Sequence, residues 1–242
     1  TYINGVKLIP SAGTIAAELN AEEESTLYQN VATTPASIYE WGLDHGARNY
    51  ADTMALVIGP KQTVDPSKQD TNNDGKPDKG GRDQLMQMVD WLIAEGKTSV
   101  KASAGIEKHL TVYSKKFDAN GTFVNNSGNN AFSLKPSAIY TEEWQIWIIA
   151  DRNTSSGTNP WGKYGANNPN NSSTGGNLSG DYFYTVPADQ TETIFGFVSV
   201  GGVKDASGTP STQKTYGNFL DNINFKIFHP LSGSSTLHGS GV

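Results

Sequence analysis

Short runs of alternating apolar and polar residues, bounded by Gly, Asn and Pro, constrain the fold of this chain more than any other feature. Alternation with a period of two places successive side chains on opposite faces of a β-strand. The runs are rich in Val, Ile, Tyr, Trp and Thr, which favour pleated, half-buried strands. They predict strands over residues 37–45, 51–59, 107–117, 143–151, 181–186, 193–200 and 218–228.

Three tryptophans lie within these predicted strands. Trp41 alternates in phase with Tyr39 and Leu43, which predicts that it faces the core. Trp144 and Trp147 are three residues apart in one strand and therefore lie on opposite faces of the sheet. One of the two is predicted to be in the core, with the other on the far side of the sheet.

One segment follows a helical pattern instead. Residues 81–96 carry apolar side chains at helical spacing, and Gly96 is suited to the position that ends a helix. The apolar positions are Leu85, Met88, Val89, Leu92 and Ile93. Because this segment lies between two predicted strands, it reads as an insertion in a β scaffold.

Length and composition exclude several classes of protein. A chain of 242 residues can bury about 70% of its unfolded surface, so it can form a core without disulfides or bound metal ions. Cysteine is absent, which excludes a disulfide scaffold and a zinc site built on thiolates. No apolar run approaches the roughly 20 residues of a membrane-spanning helix, so membrane insertion is not expected.

The charge balance points to neutral, polar partners. The formal net charge is −6, a sign that repels nucleic-acid backbones and anionic membrane surfaces. Only 17% of residues are charged, below the usual value of about 25%, and polarity comes from Asn, Ser, Thr and Gly instead. With 10% aromatic residues in addition, this composition is typical of extracellular β-rich proteins.

Residues 70–78 (DTNNDGKPD) match the spacing of a calcium-binding loop. Such a loop returns an oxygen ligand at every second residue, and Gly75 permits its sharp turn. The final carboxylate of the scheme is replaced by Gly81, and Asp83 can substitute for it. The predicted ligands are Asp70, Asn72, Asp74, the Lys76 carbonyl, Asp78 and Asp83. The ion would be structural and hold the start of the helix, and a polar turn without an ion is the alternative.

The chain shows no motif of a catalytic site. Its four histidines are scattered, and it lacks the nucleophile-elbow, zinc-protease, dinucleotide-binding and P-loop patterns. Carboxylate pairs for glycoside hydrolysis can be drawn from Glu142, Glu143 or Asp181, but any acidic chain of this size offers such pairs. His45 is predicted to be a structural side chain, and the protein is predicted not to be an enzyme.

Several aromatic residues are candidates for stacking on a sugar. Residues 152–180 are nearly devoid of aliphatic side chains, so Trp161 and Tyr164 have no local core to join. Trp91 lies off the apolar stripe of the predicted helix, although packing on the sheet is the alternative there. Aromatic rings accept the C–H face of a sugar, while amides and charged groups bind its hydroxyls. Trp91, Trp161 and Tyr164 are the predicted carbohydrate-binding residues, and Trp147 is a weaker candidate.

Three stretches of the chain resemble a known module. Residues 17–59, with the motifs AELNA, LYQNVATTP, WGLDHGAR and DTM, are similar to a carbohydrate-binding, lectin-like module of Gram-positive bacterial surface proteins. The similarity resumes at residues 180–200 and 216–225. One departure is the spacing in HGAR, where the module carries one residue between His and Gly, so no role is transferred to His45 or Arg48.

The resemblance implies a β-jelly-roll sandwich over residues 1–230, with insertions at 61–108 and 152–179 and a linker-like tail at 231–242. It also implies an extracellular or cell-surface location and a monomeric module of a longer protein. The insertions are similar to those of starch-adherence proteins of the amylosome of gut bacteria, which implies an α-glucan ligand.

These observations predict a non-catalytic module that binds α-glucan, such as starch or maltooligosaccharides, through aromatic stacking. A surface adhesin domain that binds a host protein, and a binder of a different glycan, are the alternatives. Whether the ligand enters a pocket by its chain end or lies along a groove is left open by the sequence.

The calcium loop generates the first testable prediction. Because an ion that binds only the folded state stabilises it, excess EDTA is expected to lower the melting temperature. Metal analysis of the untreated protein should find one bound calcium. An unchanged unfolding curve together with no bound metal would show that the loop is a polar turn.

Overall fold

The computed structural model describes residues 2–3, 6–11, 14–19, 25–46, 52–61, 84–94, 106–114, 132–133, 142–151, 161–168, 182–200 and 217–229. These ranges contain thirteen strands and one helix. The strands are β1 (Tyr2–Ile3), β2 (Val6–Ser11), β3 (Thr14–Glu18), β4 (Thr26–Ala32), β5 (Ile38–Gly46), β6 (Asp52–Pro60), β7 (Ile106–Ser114), β8 (Phe132–Ser133), β9 (Glu142–Asp151), β10 (Gly162–Gly165), β11 (Phe183–Thr185), β12 (Glu192–Ser199) and β13 (Phe219–Ile227). The helix, α1, is Gln84–Ala94.

The strands form two antiparallel sheets. Sheet I has the order β1-β2-β3-β13-β5-β10, and β11 also pairs with β5. Sheet II has the order β4-β12-β6-β9-β7-β8. The predicted all-β sandwich is thereby confirmed at the level of two antiparallel sheets and one helix.

The two sheets meet in a core of large side chains. Trp41 and Leu43 of sheet I and Leu56 and Trp147 of sheet II are fully buried in one cluster. The rings of Trp41 and Trp147 meet edge to face, with their centroids 5.1 Å apart. Edge-to-face pairs of this kind add about 0.5–1.5 kcal/mol to the gain from burial. The predicted core position of Trp41 is confirmed.

The helix covers the other face of sheet II. Leu85, Met88 and Leu92 are fully buried in a second cluster with Trp144 and Ile146. Burying one such side chain contributes about 1.5–3 kcal/mol. Trp144 and Trp147 do lie on opposite faces, as their spacing predicts, and both are buried because the helix provides the second cover.

All seven predicted strands are present, with their ends shifted by at most three residues, and the predicted helix spans Gln84–Ala94. Strands β1, β2, β3, β4, β8 and β10 were not predicted. In β4, Gln29 and Asn30 are exposed, so the apolar alternation is weak there. In β10, the sequence GKYG has low β-propensity, and its pairing partner β5 supplies the order.

Several predicted features lie outside the described residues. They are the calcium ligands Asp70, Asn72, Asp74, Lys76, Asp78 and Asp83, most of the two insertions, and the tail at 231–242. The backbone of Trp91 belongs to α1, but its side chain is outside the description as well. Within the described part of the chain, no helix is long and apolar enough to cross a membrane.

Two glycines on the outer face of sheet II differ in what a side chain would meet there. A Cβ at Gly59 would lie 2.1 Å from the ring carbon Cε3 of Trp144, which is fully buried. A Cβ at Gly196 would lie 2.9 Å from Cδ1 of Leu85, the end of a flexible side chain. The buried Trp144 ring therefore requires glycine at 59, whereas the Leu85 side chain only favours glycine at 196.

Replacing Gly59 by alanine is expected to lower the free energy of unfolding by about 1–3 kcal/mol, because the buried Trp144 ring must move. Gly196→Ala is the matched control and should cost less, since the Leu85 side chain can rotate. Urea unfolding of the two variants measures the difference. Equal stability of both variants would contradict this account of the Trp144 contact.

Candidate functional site

Two of the predicted sugar-binding residues are in the core. Trp147 is fully buried between the sheets, and Tyr164 is only 4% exposed. Neither offers a ring face to a ligand, so the structure corrects both assignments. Tyr164 pairs with Leu43 across the β10–β5 ladder and shares its inward direction. The sequence around Tyr164 contains few apolar residues for it to pack on, but pairing with β5 places it in the core beside Leu43.

Trp161 lies instead on the outer face of sheet I and is partly exposed. It directly precedes Gly162, which pairs with His45, so Trp161 lies beside Gly46. On the other side of β5, Phe219 pairs with Gly46. The rings of Trp161 and Phe219 stack across this glycine at a centroid distance of 6.1 Å and an interplanar angle of 29°.

A cluster of polar side chains surrounds Asp44, which lies on the same face of β5 two residues before Gly46. Asp44 is only 4% exposed. Its Oδ2 lies 3.2 Å from Nζ of Lys163 and accepts a hydrogen bond of 2.7 Å from Nδ2 of Asn222. Its Oδ1 accepts a hydrogen bond of 3.0 Å from Nδ2 of Asn167. A buried carboxylate is costly unless it is paired and hydrogen-bonded, and these three donors meet that need.

The backbone of β13 is shaped to supply this cluster. Its pairing with β5 shifts register between Asp221 and Asn224, which forms a bulge. Asn222 lies in this bulge with a φ of 48°, in the left-handed region that asparagine tolerates better than most residues. A bulge redirects side chains at a sheet surface. Here it places the amide of Asn222 against Asp44.

Glycine at position 42 makes room for the amides. Asn224 donates from Nδ2 to Oδ1 of Asn167 at 2.8 Å, and both side chains lie directly over Gly42. A Cβ at Gly42 would be 2.5 Å from Oδ1 of Asn167 and 2.7 Å from Nδ2 of Asn224. Any larger residue at this position would displace the network.

We call this outer surface along β5 the β5 strip. It comprises Glu40, Gly42, Asp44, Gly46, Trp161, Lys163, Asn167, Phe219, Asn222, Asn224 and Lys226. Two of its carboxylates have lysine partners, Asp44 with Lys163 and Glu40 with Lys226, the latter pair at 3.1 Å. The strip therefore offers amides, charge-compensated ion pairs and an aromatic ring, a set suited to neutral hydroxyl groups.

Sequence reasoning found Trp161 in this site but missed Asp44 and the three asparagines. The available signal was Asp44 itself, a charged residue that follows the apolar Leu43 inside a predicted strand. The asparagines gave no signal, because β13 and the turn after β10 bring them together only in the folded chain.

A cleft of about 280 Å³ lies elsewhere, where β6 ends and β9 and β12 begin. Its lining is Pro60, Lys61, Glu143, Pro187, Asp189, Gln190, Thr191 and Glu192. Lys61 and Glu192 form an exposed ion pair at 2.6 Å. This lining has no aromatic ring on which a sugar could stack. Its lysine, Lys61, is ion-paired like Lys163 but lies outside the β5 strip. Among the described side chains, no group of three or more His, Asp or Glu could hold a metal ion.

His45 is the buried titratable group closest to the strip. It is fully buried, and its Nε2 lies 2.8 Å from Oδ1 of Asn218. Asn218 donates from Nδ2 to the carbonyl oxygen of Thr53 at 3.0 Å, so its Oδ1 accepts from His45. These hydrogen bonds join sheet I to sheet II and support the structural role predicted for His45. Burial lowers the pKa of His45 to about 4, and the hydrogen bond to Asn218 opposes that shift.

This pKa generates a prediction about stability and pH. The unfolded chain, with a histidine pKa near 6.5, binds a proton between pH 6.5 and 4 that the folded chain excludes. The contribution of His45 is therefore complete above pH 6.5 and is lost as the pH falls toward 4, with a slope of at most about 1.4 kcal/mol per pH unit.

His45→Gln keeps a donor near the position of Nε2 and should remove this slope. His229→Gln, at an exposed position, is the matched control and should retain it. Urea unfolding measured across this pH range compares the three proteins. Parallel profiles for the parent and His45→Gln would contradict the assignment.

Comparison of the chain with protein-family models, with curated proteins and with solved structures gives no match.

Proposed function

We propose that this chain is a non-catalytic carbohydrate-binding module that binds α-glucan at the β5 strip. The observation that carries the proposal is the partly exposed Trp161, stacked on Phe219 and adjacent to the polar cluster around Asp44. The ring supplies an apolar face for the C–H groups of a sugar. The exposed amide of Asn222 supplies hydrogen-bond groups for its hydroxyls, and the amides of Asn167 and Asn224, which bond to each other and within the cluster, hold it in place.

The electrostatics of the strip favour a neutral ligand. Lys163 is about half exposed, with 52% of its side chain accessible, and it compensates the charge of Asp44. Lys226 compensates Glu40 in the same way. An uncharged polysaccharide leaves both ion pairs intact, whereas an anionic one would meet Asp44, Glu40 and Asp221. This supports a neutral glucan over acidic glycans.

The site is assigned to Trp161 rather than to the helix. Helix α1, which carries Trp91, packs on the outer face of sheet II. Trp161 lies on the outer face of sheet I, across the sandwich. A single ligand at the β5 strip therefore has Trp161 as its aromatic platform.

The finer structural features belong to the same proposal. The two antiparallel sheets are compatible with a jelly-roll, the fold that the resemblance implies. The predicted calcium loop, residues 70–83, directly precedes Gln84, the first residue of α1, in the sequence. A structural calcium in this loop would hold the start of the helix. The module would act outside the cell, on the bacterial surface, as part of a longer protein.

An adhesin domain that binds a protein is the alternative, and one observation favours it. Ile38 and Ile223 are 43% and 39% exposed, and they lie on β5 and β13, two of the strands that form the strip. Affinity electrophoresis on amylopectin, glycogen, xylan and cellulose separates the possibilities. Retardation by amylopectin and glycogen alone supports the α-glucan ligand, and no retardation in any gel would favour the adhesin.

Trp161→Ala is expected to weaken binding of a maltooligosaccharide by about 2 kcal/mol, or about 30-fold, because the stacking platform is lost. The melting temperature should change little, since Trp161 is a partly exposed surface residue. Calorimetry with the sugar and thermal unfolding measure the two effects.

A lysine pair provides the matched control. Lys163→Ala should also weaken binding, whereas Lys61→Ala removes an equally paired lysine outside the strip and should not. Unchanged affinity in both Trp161→Ala and Lys163→Ala would place the site elsewhere on the molecule.

A further inference from the structure

A second group of aromatic side chains lies at the opposite end of β5. Phe183 pairs with Glu40 through the β11–β5 ladder. Its ring contacts that of Phe228 edge to face, with centroids 4.8 Å apart, and lies 4.3 Å from the ring of Tyr182. All three rings are partly exposed, as is Ile38 at the start of β5. Tyr182 also packs against the core between the two sheets, so we call Phe183 and Phe228 alone the second ring cluster.

This cluster and the Trp161–Phe219 pair share one face of sheet I. Residues 40, 42, 44 and 46 of β5 alternate to the same side. Phe183 flanks Glu40, and Phe219 flanks Gly46. The two positions are six residues apart along β5, which corresponds to about 20 Å at roughly 3.3 Å per residue.

The surface between the two ring groups is polar and carries compensated charges. It consists of the Asp44 cluster and the Glu40–Lys226 ion pair, in which 64% of the Lys226 side chain is exposed. The order along β5 is therefore rings, then amides and ion pairs, then rings again. A sugar at a chain end needs only one of these platforms, whereas an extended chain meets all three.

Resting on the function proposed above, we infer that the β5 strip binds the interior of an extended, neutral glycan chain. One stretch of the chain lies on Trp161, which is backed by the buried ring of Phe219, and another lies on the second ring cluster about 20 Å away. The hydroxyls between them meet the amides and the two ion pairs. Recognition depends on chain length and requires no free chain end.

Calorimetry with the parent protein and a series from maltose to maltoheptaose tests this inference. The affinity is expected to rise at least about tenfold along the series, because longer chains reach both ring groups. Reduction of the reducing end with borohydride should leave the affinity for the longest member unchanged. This measurement needs no variant and so does not depend on whether a variant folds.

Two variants assign the length dependence to its structural source. Phe183→Ala should weaken binding of maltoheptaose and leave binding of maltose unchanged, whereas Trp161→Ala should weaken both. Lys61→Ala, outside the strip, is the control for both ligands. Thermal unfolding of each variant accompanies the titrations.

The outcomes separate this inference from the proposed function. Affinity that is equal for short and long chains, or that is lost on reduction of the chain end, overturns the inference and leaves glycan binding intact. Loss of binding to both maltose and maltoheptaose in Phe183→Ala, with normal folding, also overturns it. Absence of binding to every glycan tested overturns both proposals.

Discussion

The edge-to-face packing of Trp41 on Trp147 is the contact on which the rest of the structure depends. It joins β5 of sheet I to β9 of sheet II at the centre of the core. Side chains alternate along a strand, so the inward direction of Trp41 and Leu43 obliges Gly42 and Asp44 to face outward. The same backbone that closes the core therefore presents the floor of the β5 strip, and a one-residue slip of β5 would exchange the two sets.

The outward face shows how a sheet surface can hold a buried carboxylate. Asp44 is almost inaccessible, yet Lys163, Asn167 and Asn222 all contact it. Removing one partner of such a group leaves the charge unsatisfied, which is more costly than the pair is favourable. The network therefore preorganises β10 and β13 around β5. Preorganised amides lower the cost of ordering side chains when a ligand binds.

Three candidate sugar-binding residues, Trp147, Tyr164 and Trp161, show how far sequence patterns can predict the burial of an aromatic side chain. Trp147 alternates correctly for a strand, so either face was possible, and the helix on sheet II together with sheet I leaves neither face exposed. Tyr164 looked isolated because residues 152–180 lack aliphatic side chains, but its core neighbours are on β5, more than a hundred residues earlier in the chain. Trp161, three residues before it, has the opposite phase and remains partly exposed. Local composition was therefore a poor guide to burial, and strand phase was a good one.

The sequence by itself determined seven of the thirteen described strands, the position of the helix, the core role of Trp41 and the opposite facing of Trp144 and Trp147. These follow from short-range periodicity, which a chain carries wherever its partners are. Only the tertiary structure decided that Asp44, Asn167, Asn222 and Asn224 form one cluster, and that rings at both ends of β5 share a face. The reason is physical: these neighbours come from β5, β10, β11 and β13, and antiparallel pairing between distant segments sets their register. No pattern within a single strand encodes which partner lies beside it.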